Sequence, residues 1–167
     1  FEKRDLFDAL SHITPNNVQG EYYLTDVIEV MIREGLRVEA IVSEDPLTAQ
    51  GINTRVQLAE AERIFRDRIR ERLMLSGVTI MDPATTFVDF DVVIGQDTKI
   101  LPFSVIQGKT VIGENCTIGP FVCIIDSKVS EGAAISNAVV IEAEVGEDVS
   151  VGPYAYLRKG TVLAERT

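Results

Sequence analysis

The sequence "IGQDTKILPFSVIQGKTVIGENCTIG" at residues 94–119 repeats isoleucine at every sixth position. The aliphatic spacing begins at Val88 and holds through Ile124 without a missed step. A helix repeats its buried face about every 3.6 residues and a half-buried strand every two, so neither element explains a period of six. The period indicates a chain that buries one aliphatic residue, turns a corner and buries the next, with successive passes stacked at strand spacing.

Three such passes make one triangular coil. The aliphatic positions continue beyond Ile124, but three of the later steps span five residues instead of six. We expect bulged or loosened corners at the shortened steps. Residues 88–167 predict a little over four coils, or about 20 Å of prism at about 4.8 Å per layer. The later aliphatic positions are Val129, Ile135, Val140, Val145, Val151, Leu157 and Leu163.

Glycines and compact residues recur within the same repeat. Glycine permits the positive φ values that tight corners often require, and a compact side chain fits where a second residue of each pass points inward. The glycines that directly follow repeat isoleucines are Gly95, Gly113 and Gly119, and the compact residues four positions after repeat residues are Thr98, Ser104, Thr110, Cys116 and Val122. This pattern resembles the hexapeptide repeat of the left-handed parallel β-helix family. The resemblance implies the left hand, a homotrimer and sites in the grooves between prisms, although the general crossover rule favours the right hand.

The first part of the chain, residues 1–55, predicts an α/β fragment. Thr25 is a candidate N-cap and Gly35 a C-terminal stop for one helix. The sequence "LRVEAIV" at residues 36–42 alternates Val38, Ala40 and Val42, which predicts a strand. The apolar stripe of the predicted helix is Val27, Ile28, Met31 and Ile32.

A second helix is predicted over residues 56–76, with Gly77 as its stop. Its length is about five turns, and its charged remainder suggests an exposed linker between residues 1–55 and residues 77–167. The basic run Arg63–Arg72 is interleaved with acidic residues, which indicates a solvated helix face. The apolar stripe is Leu58, Ala61, Phe65, Ile69 and Leu73.

The charge balance argues against two classes of partner. The 16 basic and 26 acidic residues give a net charge of -10, which repels nucleic-acid phosphates and anionic membranes. No signal peptide or 18-residue apolar run is visible, so we expect a cytoplasmic protein.

The few cysteines and the single histidine carry little chemistry. Cys116 and Cys123 lack the spacing of a zinc site or a disulfide framework, so we interpret both as packing residues. His12 lies near a Pro-Asn turn and is expected at the surface. No histidine occurs in residues 88–167, which excludes the histidine-bound zinc of a γ-class carbonic anhydrase. A non-catalytic trimerisation module, an acyltransferase and a sugar nucleotidyltransferase with a β-helical tail remain.

Three further motifs precede the repeats in a fixed order: "NNVQGEYYLTDVIEVMIREG" at residues 16–35, "GINTRVQLAEAE" at 51–62 and "GVTIMDPATT" at 77–86. Together they resemble the bifunctional N-acetylglucosamine-1-phosphate uridylyltransferase / glucosamine-1-phosphate N-acetyltransferase family, which makes UDP-N-acetylglucosamine for bacterial cell walls. The resemblance covers nearly all of the chain. It implies UTP, N-acetylglucosamine 1-phosphate, glucosamine 1-phosphate and acetyl-CoA as substrates, and a homotrimer.

The resemblance assigns two substrate-binding residues. Asn53 in "GINTR" matches the asparagine that helps to hold Mg²⁺ and the sugar nucleotide, where a carboxamide supplies a neutral, hard oxygen. From the residues alone, Asn53 or Thr54 is a helix-cap candidate. Arg158 in "GPYAYLRKG" matches the arginine that binds the phosphorylated sugar at the acetyltransferase site, which a guanidinium can do with two parallel donors. Lys159 stands where the family has proline, so we expect a looser corner with a higher charge.

Other residues of the resemblance have no assigned role. Glu21, Tyr22 and Asp26 either line the nucleotide-sugar cleft or pack and cap the helix that follows. Because the chain begins at Phe1 inside an amphipathic segment, we expect a central fragment of a longer protein. The glycine-rich UTP loop and metal-binding aspartate are expected upstream, and the histidine base, acetyl-CoA contacts and remaining sugar-phosphate ligands downstream. We therefore place no catalytic residue in this chain and expect it to catalyse neither reaction alone.

Overall fold

The computed structural model describes residues 1–45 and 49–166, and the chain divides into two compact units, Phe1–Gln50 and Gly51–Thr167. The predicted division into domains at residues 1–55, 56–76 and 77–167 stays a prediction. In the described part of the chain, no helix is long and apolar enough to cross a membrane.

The first unit contains helix α1 (Lys3–Leu10) and helix α2 (Asp26–Arg33). The predicted α2 is present, with Thr25 at the N-cap position but without a side-chain capping bond. Gly35 ends the helix with φ of 77°, and the Leu36 backbone N–H donates to the Met31 carbonyl at 2.9 Å. A small apolar core joins the two helices and consists of Ala9, Val27, Val30 and Met31.

The strand predicted over residues 36–42 was wrong. These residues have irregular backbone, and Ile41 and Val42 are almost fully exposed. Alternation describes a strand with one buried face, but a strand also needs a neighbour for its backbone hydrogen bonds. The described residues of the first unit contain no such neighbour.

The second unit begins with helix α3 (Arg55–Leu75), close to the predicted bounds. Thr54 is its N-cap, and its side chain accepts a hydrogen bond from the Gln57 backbone N–H at 3.1 Å. The Gln57 side chain accepts from the Thr54 backbone N–H at 2.9 Å, which completes a capping box.

The rest of the second unit is a parallel β-helix with three five-stranded sheets, and every third strand returns to the same sheet. The first sheet contains β1 (Thr79–Ile80), β4 (Lys99–Ile100), β7 (Thr117–Ile118), β10 (Ala134–Ile135) and β13 (Ser150–Val151). The second contains β2 (Phe87–Val88), β5 (Ser104–Gln107), β8 (Val122–Ile125), β11 (Val139–Ile141) and β14 (Tyr156–Leu157). The third contains β3 (Val93–Ile94), β6 (Val111–Ile112), β9 (Lys128–Val129), β12 (Glu144–Val145) and β15 (Val162–Leu163). The predicted β-helix is confirmed, and its left hand stays a prediction.

The repeat residues form three aliphatic ladders inside the prism. Ile100 pairs with Ile118, and Ile118 with Ile135, so residues from successive coils stack directly on one another. Ile80 adds a first rung, which the six-residue spacing missed because the step to Val88 spans eight residues and contains a 3₁₀-helix, Pro83–Thr85. Compact inward residues are also confirmed, since Thr98, Ser104, Thr110, Cys116 and Val122 are buried.

The three shortened steps lie at tight corners, so the expectation of bulged or loosened corners was wrong. Each contains one residue with positive φ: Asp126 at 46°, Asn137 at 46° and Glu142 at 45°. The flanking strands remain paired, and the repeat residues Val129, Val140 and Val145 remain buried. Each five-residue step is therefore shorter by one residue at the corner, while the stacked aliphatic residues keep their places.

Two of the repeat glycines are required for a different reason from the one predicted. Gly95 and Gly113 have no positive φ, and a Cβ on Gly113 would lie 2.7 Å from the Glu131 backbone nitrogen of the next coil. Only Gly119, with φ of 104°, fits the predicted conformational role. Close approach of successive corners explains the other two.

Helix α3 packs on the first coil through its last turns. Ile69 and Leu73 join the core of the prism. Arg70 is buried and donates hydrogen bonds to the backbone carbonyls of Pro83 and Thr86. Arg72 donates to the Phe90 carbonyl at 2.8 Å. The basic run is therefore solvated only in part, because long side chains can extend their charged ends across a neighbouring surface.

Candidate functional site

The motif at residues 152–160 forms one corner of the fifth coil. Leu157, at the end of strand β14, points toward the core and is partly buried, and Arg158 then starts the turn between the second and third sheets. The Thr161 backbone N–H donates to the Arg158 carbonyl at 3.0 Å, and Gly160 has φ of 79°. The turn presents consecutive cationic side chains at a single corner.

The two cations have different surroundings. The Lys159 ammonium donates to the Glu142 carboxylate of the preceding coil at 2.5 Å, and this hydrogen bond and charge raise the pKa of Lys159. The Arg158 side chain is exposed and has no hydrogen-bond or ion-pair partner among the described residues of the second unit. The corner therefore offers one neutralised cation and one guanidinium with all its donors free.

This arrangement suits recognition of an anion. A guanidinium keeps its charge at every ordinary pH and can bind two phosphate oxygens in parallel. The turn is also tied to the coil below through its backbone, since the Gly160 N–H donates to the Glu142 carbonyl at 2.9 Å. The looser corner predicted for Lys159 is therefore replaced by a turn tied to Glu142 through both backbone and side chain.

Asn53 lies just before α3 and does not cap it. Its backbone N–H donates to the Gln57 side chain at 2.8 Å, while its carboxamide is exposed and has no hydrogen bond among the described residues. Thr54 takes the cap role that the sequence left open between the two. No hydrogen bond or ion pair in the described part of the second unit joins Asn53 to Arg158.

The described surroundings of Asn53 do not supply a metal site. Mg²⁺ is usually held through one or two carboxylates together with phosphate oxygens and water. In the described residues, no three His, Cys, Asp or Glu side chains form a group that could hold a metal ion. The residues present do not fit a Mg²⁺ site of their own, and Asn53 offers one neutral ligand at most.

The residues of the first unit that the sequence singled out are at its surface. Asn17 accepts from the Glu21 backbone N–H at 3.1 Å, which closes the loop before α2. Tyr22 is exposed, and Asp26 is the first residue of α2. His12 is exposed, with its Nδ1 atom 2.8 Å from the Asp8 carbonyl, as the sequence predicts for a surface histidine.

The two cysteines pack as predicted. Cys116 is buried, its Sγ lies 3.1 Å from the Ser130 carbonyl oxygen, and burial raises the pKa of its thiol. Cys123 is half-buried on the outer face of β8. Cys116 therefore lacks the lowered pKa of a reactive thiol.

An aromatic corner between the first and second sheets was missed from the sequence. Phe103 and Phe121 stack with their ring centroids 4.9 Å apart, and Tyr154 is exposed two coils above Phe121. Asn137 occupies the intervening coil, and a groove of about 460 Å³ lies beside it. The sequence spacing could have predicted this corner, since each of these aromatic residues comes three residues after an inward aliphatic residue of the first sheet.

Comparison with known proteins identifies the repeat segment. Residues 91–126 match the family described as bacterial transferase hexapeptide (six repeats). The chain is 50% identical over 165 residues to the bifunctional protein GlmU of Heliobacterium modesticaldum, covering 99% of this chain and 36% of that protein. The resemblance to the bifunctional proteins is confirmed.

Two further relatives give the same result. The GlmU protein of Geobacillus sp. is 49% identical over 158 residues, which cover 95% of this chain and 34% of the relative. The GlmU protein of Streptomyces avermitilis is 48% identical over 166 residues, which cover 99% of this chain and 34% of the relative. The chain therefore spans about a third of the length of the curated relatives that it matches.

Proposed function

We propose that this chain is a segment of a bifunctional enzyme that makes UDP-N-acetylglucosamine. The enzyme transfers the acetyl group of acetyl-CoA to the amine of glucosamine 1-phosphate, and then transfers uridylyl from UTP to N-acetylglucosamine 1-phosphate with release of pyrophosphate. The observation that carries this proposal is the identity of about half over nearly the whole chain with proteins named for two functions. The substrates are cytoplasmic metabolites, so we place the enzyme in the cytoplasm.

In this proposal, Arg158 binds the phosphate of glucosamine 1-phosphate. Its free guanidinium at the corner of the fifth coil supports the assignment. The sugar amine attacks the thioester carbon, the carbon–sulfur bond breaks and the thiol leaves, while a base takes the amine proton. The second unit has no histidine, so the base is supplied from elsewhere in the enzyme.

Asn53 contributes to the uridylyltransferase site through its exposed carboxamide. Its direct role is to hold the sugar nucleotide, and it would add one neutral ligand to the Mg²⁺ that we propose for this reaction. That ion would supply neutralisation of phosphate charge in uridylyl transfer. The remaining ligands come from residues outside the described part of this chain.

We assign the enzyme a homotrimeric assembly. The outer face of the second sheet supports self-association because it is lined mainly by apolar side chains, with Gln107 as a polar exception; the apolar residues include Phe87, Val105, Cys123, Val139 and Tyr156. The outer face of the first sheet carries mainly polar or small residues instead, namely Thr79, Lys99, Thr117, Ala134 and Ser150.

Two assays on the full-length protein test the proposed reactions. Thiol release from acetyl-CoA with glucosamine 1-phosphate reports acetyl transfer, and pyrophosphate release from UTP with N-acetylglucosamine 1-phosphate reports uridylyl transfer. Arg158→Ala should lower acetyl transfer at least about tenfold and leave uridylyl transfer intact, since it removes a charge-assisted bidentate contact. Absence of both activities in the wild-type protein contradicts the proposal.

The 167-residue chain tested alone should release neither thiol nor pyrophosphate. Robust thiol release by this chain overturns the assignment of the base to another part of the enzyme. A non-catalytic trimerisation module is the second candidate, favoured by the apolar outer face of the second sheet, and it is distinguished by a trimeric full-length protein without either activity.

A further inference from the structure

Lys159 and Glu142 form a side-chain pair beside the proposed phosphate-binding residue. We propose that Lys159 engages Glu142 and thereby keeps the Arg158 guanidinium free for the phosphate of the sugar substrate. This inference rests on the proposed acetyltransferase function and deepens it. It makes Lys159 a positioning residue, because its effect on the substrate passes through another side chain.

The coil geometry places Glu142 directly below the corner that carries both cations. The Gly160 backbone N–H donates to the Glu142 carbonyl at 2.9 Å, so the corner at residues 158–160 lies one strand spacing, about 4.8 Å, above Glu142. At that separation a glutamate side chain can meet a lysine or an arginine of the next coil. In the structure the carboxylate binds Lys159, with the ammonium nitrogen 2.5 Å from its oxygen.

A carboxylate released from Lys159 becomes a competitor for Arg158. Carboxylate and phosphate both bind guanidinium through two parallel hydrogen bonds, so they use the same donors. Glu142 is held at this corner by its backbone, which has φ of 45° and whose carbonyl accepts the Gly160 N–H bond. Its side chain therefore stays near the corner whichever cation it meets.

The pair also explains why an anion at this corner binds one of the two adjacent cations in preference to the other. Glu142 cancels the charge of Lys159 and leaves a single site of positive charge at Arg158. The hydrogen bond and charge of Glu142 raise the pKa of Lys159, which favours the ammonium form within the pair. An anion is therefore directed to the guanidinium, whose planar donors fix its orientation.

A double-mutant cycle tests this role in the full-length protein. The variants are Lys159→Ala, Glu142→Gln and the two combined, with Lys159→Arg as the conservative variant that keeps the pair. The KM and kcat for glucosamine 1-phosphate in acetyl transfer are measured together with its Kd by calorimetry. Lys109→Ala is the matched control, since it removes a lysine from the same edge of the prism three coils below Lys159.

We expect Lys159→Ala to raise KM and Kd roughly two- to fivefold at unchanged kcat, which corresponds to an exposed ion pair. Glu142→Gln should leave Kd essentially unchanged in the wild-type background, where Lys159 already engages the carboxylate, but should restore roughly wild-type Kd in the Lys159→Ala background. Lys159→Arg and Lys109→Ala should retain the wild-type Kd.

Other outcomes overturn the inference. If the effects of Lys159→Ala and Glu142→Gln on Kd simply add, Lys159 acts on phosphate directly and not through Glu142. An unchanged Kd in Lys159→Ala shows that Glu142 does not compete for Arg158. If Arg158→Ala abolishes binding of glucosamine 1-phosphate while Lys159→Ala has no effect, this inference is wrong but the proposed function stands. A wild-type enzyme without acetyl transfer rejects the proposed function itself.

Discussion

At the residue scale, the β-helix depends on positions where a small group is required by its neighbours. Gly113 lies directly below the backbone of Ser130 and Glu131, at distances where an added Cβ has no room. The six-residue spacing showed that a glycine follows several rungs, but it could not separate conformational freedom from close approach. That distinction depends on the position of the next coil.

We predict that Gly113→Ala destabilises the protein by about 1–3 kcal/mol, because its Cβ forces adjacent coils apart. The free energy of unfolding is measured by urea denaturation. Gly51→Ala is the matched control, since an added Cβ there meets only the Asn53 amide nitrogen at 4.0 Å. Equal stability of the two variants contradicts close approach as the reason for glycine at position 113.

Cys116 makes stability depend on pH in the alkaline range. Burial raises the pKa of this thiol in the folded protein, while the unfolded thiol ionises near pH 8.5. Above that pH the unfolded state loses a proton that the folded state keeps, so stability falls as pH rises until the thiol also ionises in the folded protein. Below about pH 8 both states keep the proton and the contribution is constant.

We predict that wild-type stability falls above pH 8.5 more steeply than that of Cys116→Ala, by up to about 1.4 kcal/mol per pH unit. Urea denaturation between about pH 7.5 and 10 under reducing conditions measures the two slopes. Ser127→Ala, which changes a buried side chain that does not ionise in this range, serves as a control and should keep the wild-type slope. Parallel curves for the wild type and Cys116→Ala are incompatible with a raised Cys116 pKa.

For helices and strands, periodicity predicts which residues are buried, but it does not predict which neighbouring element they contact. The ladders followed from sequence because the burial of one aliphatic residue in each pass imposes its own period. The strand at residues 36–42 failed because alternation does not supply a pairing partner. The bond between Lys159 and Glu142 was invisible for a similar reason, since it joins coils whose register depends on the shortened corners.

In helix α3, periodicity also failed to predict the surroundings of a charged residue, Arg70. Helical periodicity places Arg70 next to the apolar residue Ile69, where its charge suggests solvent. In the structure Arg70 is only 8% exposed and its guanidinium donates to the carbonyls of Pro83 and Thr86. Its Nε atom has no hydrogen-bond partner in the described residues, so burial of this side chain carries a cost as well as a gain.

We predict that Arg70→Met destabilises the protein by about 1–3 kcal/mol, because buried carbonyls lose their donor. Arg63→Met is the control, since Arg63 pairs with Glu60 and Asp67 on the exposed face of the same helix and should cost clearly less stability than Arg70→Met. Urea denaturation of both variants shows whether Arg70 holds helix α3 against the first coil (its docking role) or is only a solvated charge. A neutral Arg70→Met substitution rules out the docking role.

At the scale of the whole molecule, the three outer faces of the prism differ in chemistry while their inner faces are alike. Every inner face is a ladder of isoleucine, valine and leucine, so the core gives no preference among the sheets. Only the outer residues can direct assembly, and the second sheet is the most apolar of the three, with the stacked Phe103 and Phe121 at its edge. The proposed homotrimer should therefore bury this face.

We predict that Val139→Lys converts a full-length trimer into a monomer, because it places a charge at the centre of the apolar face, where its burial in an interface is unfavourable. Thr117→Lys, an equally sized change on the outer face of the first sheet, should leave the trimer intact. Light scattering measures the mass of each variant, and circular dichroism checks that the β-helix remains folded. A trimeric Val139→Lys protein shows that another face forms the interface, while a monomeric wild-type protein rejects the trimer itself.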